Sequence, residues 1–260
     1  MRARLSISGP PLSVPAVASP APLAGAYISA QPGPAARRAV VDAAAIQALN
    51  NDYRGLAFEA RIQRLYTDFA PEKVLVTSSF AATSAYFLHI IATIRPQQRV
   101  HFIDTGYHFP ETLEYRQYLI ERFGLDVVDV RAEDWQHQFT REEQTWSKDP
   151  DFCCSVNKVE PLEQIKSQYQ VWVSSLMRWQ TEHRADLDIF EVRRGIIKFN
   201  PMIDVSQAER DAYIREHDLP FHPLVAQGYS SIGCSHCTVP GDGRSGRWVG
   251  KPKTECGLHL

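Results

Sequence analysis

Five cysteines fall at three places in the 260-residue chain. Cys153 and Cys154 are adjacent. Cys234 and Cys237 form a Cys-x-x-Cys within Ile232-Gly233-Cys234-Ser235-His236-Cys237, and Cys256 stands in Lys253-Thr254-Glu255-Cys256-Gly257-Leu258-His259. Soft thiolates select zinc or iron–sulfur centres, and four of them close a site. Two residues between cysteines let a turn aim both sulfurs at one centre. Neighbouring side chains rarely point the same way, so the adjacent pair suits a multi-metal cluster better than one tetrahedral ion. Structural zinc and buried free thiols are the competing readings. The odd count and the absence of an export signal argue against a disulfide framework.

Cys256 differs from the other four in its surroundings. Arg247, Lys251 and Lys253 precede it and His259 follows. Nearby positive charge favours the thiolate, which is the nucleophilic form. A mobile tail could also present one sulfur to two partners in turn. The opposing reading is a bystander, since terminal residues are often loosely held.

Positioning these groups falls to the rest of the chain. Residues 1–35 are rich in Pro, Ala and Ser, with almost no charge beyond Arg2 and Arg4. They read as a disordered or loosely ordered segment. An α/β domain over 36–240 and a loop-rich, mobile C-terminal tail over 241–260 account for the remainder. Helical spacing begins near Ala36, with Val40, Val41, Ala44, Ile46 and Leu49 on one face. A second helix spans about 56–69. Residues 73–77 predict the first core strand. It runs into Ser78-Ser79-Phe80-Ala81-Ala82-Thr83-Ser84 and a helix that stops at Pro96. A strand, a hydroxyl-rich turn and a helix N-terminus make an anion site; ordinary N-capping by the hydroxyls is the alternative. The turn lacks the Gly-Lys-Ser/Thr ending of a Walker loop.

Residues 99–103 predict a second strand. A helix over 111–123 starts at Pro110 and ends at Gly124, and 125–130 predict a third strand. This alternation implies a parallel twisted sheet with flanking helices, and ligands past the C-terminal strand ends. Residues 171–176 predict a fourth strand, 188–192 and 196–200 a hairpin, and Ser206-Gln207-Ala208-Glu209 the capped start of a helix reaching about 217. On a helix, Lys158 would share a face with Cys154 and bring a cation to the thiols.

The charge balance is 28 basic against 30 acidic residues, which gives no bulk electrostatic case for nucleic acid. No apolar run approaches the roughly 20 residues that cross a membrane. Prolines at 10, 11, 15, 20 and 22 interrupt any signal-peptide core. Reduced cysteines fit the cytoplasm.

Taken together, the motifs resemble the assimilatory adenylyl-sulfate and phosphoadenylyl-sulfate reductases. The likeness covers roughly 70–259. It rests on Ser78-Ser79-Phe80, on Asp104-Thr105-Gly106-Tyr107-His108-Phe109-Pro110-Glu111-Thr112, and on Cys153-Cys154 with Lys158-Val159-Glu160-Pro161-Leu162. The remaining motifs are Gly228-Tyr229-Ser230-Ser231-Ile232-Gly233-Cys234-Ser235-His236-Cys237, Arg244-Ser245-Gly246-Arg247-Trp248 and the Cys256 tail. The resemblance implies an adenine-nucleotide hydrolase-like fold of the PP-loop type. It implies a [4Fe–4S] cluster on Cys153, Cys154, Cys234 and Cys237, with Cys256 as nucleophile. Ser78, Ser79, Phe80, Lys158, Arg178, Arg244, Arg247 and His259 are implied to contact substrate. The implied substrate is adenylyl sulfate (APS) or its 3′-phosphorylated form (PAPS), and the implied reductant is thioredoxin or a similar dithiol protein. Sulfite and AMP would be released through a Cys256 S-sulfonate. Association into a homo-oligomer is left open.

Two stretches depart from the family pattern. Ala81 follows Phe80 where glycine is usual, and 176–184 keep only scattered positions of Leu-Arg-Arg-x-Gln-Ser-x-x-Arg. The four-cysteine set points to APS, while the first loop looks closer to the PAPS-using branch. A base-thiolating enzyme of the same fold would need Ser-Gly-Gly-x-Asp-Ser at 78–84, which is not there. A non-catalytic nucleotide or cluster sensor would leave the Cys256 tail without a purpose.

Overall fold

In the computed structural model, residues 42–259 are described. The N-terminal segment over 1–35 and the helical positions Ala36, Val40 and Val41 lie outside them. Two helices, α1 (Ala43–Arg54) and α2 (Phe58–Asp68), precede the sheet. Then follow β1 (Val74–Ser78), α3 (Ser84–Ile94), β2 (Val100–Ile103), α4 (Pro110–Phe123) and β3 (Val127–Val130). Short helices α5 (Asp134–Glu142), α6 (Thr145–Lys148), α7 (Pro150–Cys154) and α8 (Glu160–Lys166) lead to β4 (Val171–Val173). The last elements are α9 (Glu182–Ala185), a hairpin of β5 (Phe190–Arg193) and β6 (Ile196–Phe199), and α10 (Gln207–Glu216).

The six strands are ordered β3-β2-β1-β4-β6-β5, and only the β5–β6 pair is antiparallel. The chain leaves β1 toward β2 on one side and later returns to pair β4 on the other, with Val76 opposite both Val100 and Val173. That reversal opens a crevice at the C-terminal ends of β1 and β4, where open α/β sheets bind ligands. Both sheet faces are covered, so these strands read as unbroken apolar runs. Val74, Val76, Phe102, Val171, Val173 and Phe199 fill the core beneath α1–α4. Leu75, Ile103, Val130, Trp172 and Ile196 face the other way, against Leu162 of α8 and Leu258 of the tail.

Local rules account for the boundaries. Pro110 occupies the first turn of α4, and Gly124 ends it with φ 64°, a left-handed cap that a β-carbon would strain. Ser206 and Glu209 close a reciprocal capping box on α10. The Lys158 segment departs from the regular helix expected of it. Residues Ser155–Val159 form a π turn, with Glu160 N–H bonded to Ser155 O. The next residue, Pro161, has no N–H, and its ring would crowd the Asn157 carbonyl in a regular helix; the widened turn relieves that clash.

Arg61 of α2 ties this half of the fold together. It donates to the Tyr53 and Arg54 carbonyls at the C-terminal end of α1, to Pro201 O, and through both Nη atoms to Asp204 at 2.6 and 2.7 Å. Burial raises the Asp204 pKa, but the hydrogen bonds and charge of Arg61 outweigh it and hold the carboxyl below its usual range. The pair's contribution is therefore complete at neutral pH and is lost as pH falls through the depressed pKa. Arg61→Ala is expected to lower stability by about 3 kcal/mol, since it strips partners from buried acceptors. A lower midpoint in urea checks this; an unchanged midpoint contradicts it.

Candidate active site

A cavity of about 550 Å³ fills the crevice at the ends of β1 and β4. Its floor is the 78–84 turn, one wall is the segment after β4, and the other wall is the C-terminal stretch through His259. Lys158, Arg184, Arg210, Arg244 and Arg247 line it, and among its described lining residues Glu255 is the sole carboxylate. A surface of this kind binds a compact polyanion. His108 also lines it; burial pushes its pKa down to about 4 although Asp104 lies 3.8 Å away, so the ring is neutral.

Ser78 and Ser79 are on the floor, as expected for contact with substrate. Ser78 Oγ accepts from Phe80 N at 3.2 Å. Thr83, the N-cap of α3, makes no side-chain cap bond to the helix. Phe80 does not line the cavity with its side chain. Its ring is fully buried, edge-on to Phe102 at 5.5 Å, and its φ of 48° turns Ala81 and Ala82 to the cavity instead.

Arg178 is likewise not among the lining residues. It donates Nε and Nη2 to Leu187 O at 3.2 and 3.1 Å from an exposed position. The 3₁₀ turn Arg178–Gln180 spaces successive side chains about 120° apart, so Trp179 and Gln180 face the cavity at its expense. The cation delivered by this loop is Arg184, which sequence reasoning left out of the site. It bonds Gln180 Oε1 at 2.5 Å and Glu255 through two nitrogens at 3.0 and 3.1 Å. The signal for it was its survival, with Gln180, in the imperfect motif at 176–184.

Arg244 and Arg247 enter from the C-terminal stretch. Arg244 donates to Thr254 O at 2.6 Å and to Glu255 at 3.3 Å. Arg247 packs 4.4 Å over the Trp248 ring, and its buried Nε has no hydrogen-bond partner among the described residues. Gly233 makes room for it: a β-carbon there would fall 2.5 Å from the guanidinium carbon. His259 stacks flat on Trp172 at 5.1 Å, and its buried Nδ1 also lacks a partner among the described residues. Burial, then the charges of Lys198 and Arg184, hold its pKa well below the usual value.

Cys256 lines the same cavity and is half-buried. Of the three cations expected around it, Arg247 shares the cavity. Lys251 donates to Ser147 O and Lys253 pairs with Asp151, so both fasten the tail to α6 and α7. Lys158 and Arg244 line the cavity with it, and the Cys256 sulfur favours the charge of both.

The other four cysteines are free and ring a second, smaller cavity with Tyr107, Trp146, Asn157 and His236. Cys153 and Cys154 come from α7; Cys234 and Cys237 bracket a short 3₁₀ turn, Ser235–Cys237. Thr105 Oγ1 lies 3.3 Å from Cys234 Sγ, and Asn157 Nδ2 donates to Cys153 Sγ at 3.7 Å. Burial pushes the Cys154 thiol up to about 11. Burial also opposes ionisation of Cys234, yet Lys158 and the Thr105 hydroxyl outweigh it and lower that pKa. Lys158, buried to 9 % exposure, borders both cavities. Burial disfavours its charge, but the facing Cys234, Cys154 and Cys256 sulfurs raise its pKa. Among the described residues no three His, Cys, Asp or Glu side chains converge as a single metal ion requires.

A switch-point crevice lined by cations, with a thiol on its wall, defines an α/β enzyme that handles a phosphorylated nucleotide. A family model described as the phosphoadenosine phosphosulfate reductase domain matches residues 73–240. An adenosine 5′-phosphosulfate reductase of Chelativorans sp. is 41% identical, with 84% of this chain and 92% of that one covered. A phosphoadenosine 5′-phosphosulfate reductase of Gloeobacter violaceus is 36% identical, over 84% of this chain and 95% of its own. The crystal structure of phosphoadenylyl-sulfate (PAPS) reductase from Candida auris, a phosphate complex, superposes with a TM-score of 0.65 at 25% identity. It covers 76% of this chain and 98% of that one. The chain belongs to the phosphoadenosine phosphosulfate reductase family.

Proposed function

We propose that the protein reduces adenylyl sulfate to sulfite and AMP in sulfate assimilation, through an S-sulfonate on Cys256. The observation that carries this is the pairing of Cys256 on the wall of a cationic cavity with Lys158, which borders both that cavity and the four-thiol ring. The Cys256 thiolate attacks the sulfur of the bound sulfate. The sulfur–oxygen bond to the phosphate breaks, AMP departs with that electron pair, and Cys256 carries –SO₃⁻. A dithiol protein of the thioredoxin kind then attacks Cys256 Sγ. Sulfite leaves with the S–S bond electrons, and the second thiol frees Cys256 as a disulfide forms in the reductant, which has supplied both electrons.

Ser78, Ser79 and the amides of their turn would receive the phosphate, with Arg244 and Arg247 offering charge-assisted bonds to the phosphosulfate. Lys158 would offset repulsion between that anion and the attacking thiolate. His259, neutral on Trp172, would take part in substrate contact from the tail. Residues 241–260 would act as the mobile element and the domain over 36–240 as its platform.

Cys153, Cys154, Cys234 and Cys237 fit a [4Fe–4S] cluster, because four free soft donors encircle one space beside a buried cation that needs anionic neighbours. Bound there, it would supply a fixed anionic framework that orders both cysteine segments around Lys158. Five free thiols suit a reducing cytoplasm, and no described helix is long and apolar enough to cross a membrane. Assembly into a homo-oligomer is compatible with this chemistry and not required by it.

APS is favoured over PAPS by the four-cysteine set and by relatives named for APS at 41% and 40% identity. The reading is tested by assaying anaerobically purified protein with each nucleotide and a dithiol reductase. Sulfite from APS and about four irons per chain, lost in Cys154→Ser and Cys234→Ser, are the expected results. A catalytic efficiency for PAPS about tenfold or more above that for APS overturns the substrate assignment. Stoichiometric zinc without iron overturns the cluster, and sulfite from neither nucleotide overturns the reductase.

A further inference from the structure

The sole carboxylate among the described lining residues of the cavity belongs to Glu255, immediately before Cys256. Its side chain is 3 % exposed and gripped at both oxygens. Arg184 donates Nε to Oε1 at 3.0 Å and Nη2 to Oε2 at 3.1 Å, Thr181 Oγ1 donates to Oε1 at 3.2 Å, and Arg244 Nη2 donates to Oε2 at 3.3 Å. Arg184 and Thr181 belong to α9 and its N-cap, on the sheet side of the cavity; Glu255 belongs to the tail. Thr181 Oγ1 also accepts from Arg184 N at 3.3 Å, which ties the two receiving side chains to one turn. Past Trp248 the tail is also tied by Lys251 to Ser147 and Lys253 to Asp151, whose partners are exposed and which stop three residues short of Cys256, and by the His259 carbonyl, which accepts from His183 Nε2 of α9 at 3.2 Å; Glu255 alone of these adjoins the sulfur-bearing residue. An acid in an anion-binding cavity repels the anion the cavity is built for, so its presence calls for a separate task.

We infer that Glu255 is the positioning residue that clasps the tail shut, its carboxylate bound by Arg184 and Thr181 so that Cys256 is held over the cavity for attack. This rests on the sulfonate-transfer reading given above. A buried, doubly bonded ion pair between two chain segments has the directionality to set where the next residue's sulfur points. Releasing the tail frees Arg184 from its carboxylate, so the open cavity presents Lys158, Arg184 and Arg210 with no facing carboxylate among the described lining residues, the better state for capturing a sulfonucleotide. Closure then brings back the carboxylate and the sulfur together. One contact thus couples substrate capture in the open form to thiol delivery in the closed one.

The test compares wild type, Glu255→Gln and Glu255→Asp as cluster-loaded enzymes. Cys256 alkylation by iodoacetamide is followed by mass spectrometry on its peptide, on the high-pH plateau where the thiolate fraction is complete. S-sulfonate formation is followed in a single turnover without reductant, and AMP affinity is measured separately. Glu255→Gln keeps size and a hydrogen-bonding oxygen but loses the charge. It is expected to alkylate about tenfold faster and to form the S-sulfonate about tenfold more slowly, as the loss of charge-assisted buried hydrogen bonds implies. Its AMP affinity should match or exceed that of wild type, and Glu255→Asp should recover part of the protection. Unchanged alkylation in Glu255→Gln overturns the clasp, as does a defect confined to KM with kcat intact. If wild type itself forms no S-sulfonate on Cys256, the sulfonate-transfer reading fails, while the alkylation comparison still decides whether Glu255 holds the tail.

Discussion

Cys256→Ser is expected to release no measurable sulfite while binding nucleotide and retaining the iron of the proposed cluster. The argument is chemical before it is structural. A hydroxyl at this position is a far weaker nucleophile than a thiolate at neutral pH, and an O-sulfonate would offer a dithiol no sulfur to exchange with. Both halves of the reaction therefore fail at one atom. Nothing in the fold depends on that atom. Cys256 is half-buried and free, and it does not line the second cavity that the other four cysteines share, although Cys234 borders both. The neighbours that seat the tail, Glu255 on Arg184, Leu258 on the sheet and His259 on Trp172, stay in place. In wild type, substrate without reductant should add about 80 Da, the mass of SO₃, to the peptide carrying Cys256, as exchange at this sulfur demands. An adduct on Cys153, Cys154, Cys234 or Cys237, or full activity in Cys256→Ser, would reverse the assignment of nucleophile and ligands.

Much of the architecture was legible because its causes are local. The apolar runs at 73–77, 99–103 and 171–176 hold β1, β2 and β4, the last ending early at Val173 where the chain turns into the cavity wall, and Gly124 and Ser206 end and begin helices by rules that need no tertiary context. The grouping of four cysteines around one space was legible from spacing and from the family likeness. What escaped was side-chain direction. Phe80 and Arg178 sit in segments that border the cavity, but a positive φ at one and a 3₁₀ turn at the other send their side chains elsewhere. Periodicity cannot show this, since neither segment has a period. Lys251 and Lys253 lie near Cys256 in sequence, yet their long stems reach acceptors on α6 and α7, more than a hundred residues away in the chain. Arg184 and Glu255 escaped for the complementary reason. Each looks like an ordinary surface charge until the fold brings α9 against the tail. The π turn at Lys158 was foreseeable only in hindsight, from Pro161 three residues on.

Lys158 carries the second large expectation. Lys158→Met removes a charge but keeps a flexible apolar stem of similar length. It is expected to lower kcat by about 10²–10³-fold with a smaller change in KM, the range found when a preorganised charge facing a developing anion is deleted. The reasoning follows from where the ammonium sits. It is buried, so its field is weakly screened. The Cys256 sulfur shares the larger cavity with it, Cys154 the smaller one, and Cys234 both. As the thiolate approaches a phosphosulfate, two anions are forced together, and their repulsion peaks during the transfer. A cation fixed between them lowers that barrier more than it lowers the energy of the bound substrate, which already has Arg244 and Arg247. The effect should therefore fall on kcat. Iron content separates this from simple damage to the thiol ring: a variant that keeps about four irons per chain yet transfers slowly has lost electrostatics, not architecture. An unchanged kcat with the iron intact would mean that Lys158 only neutralises the thiols behind it, and that Arg244 and Arg247 alone carry the charge of the transferring sulfate.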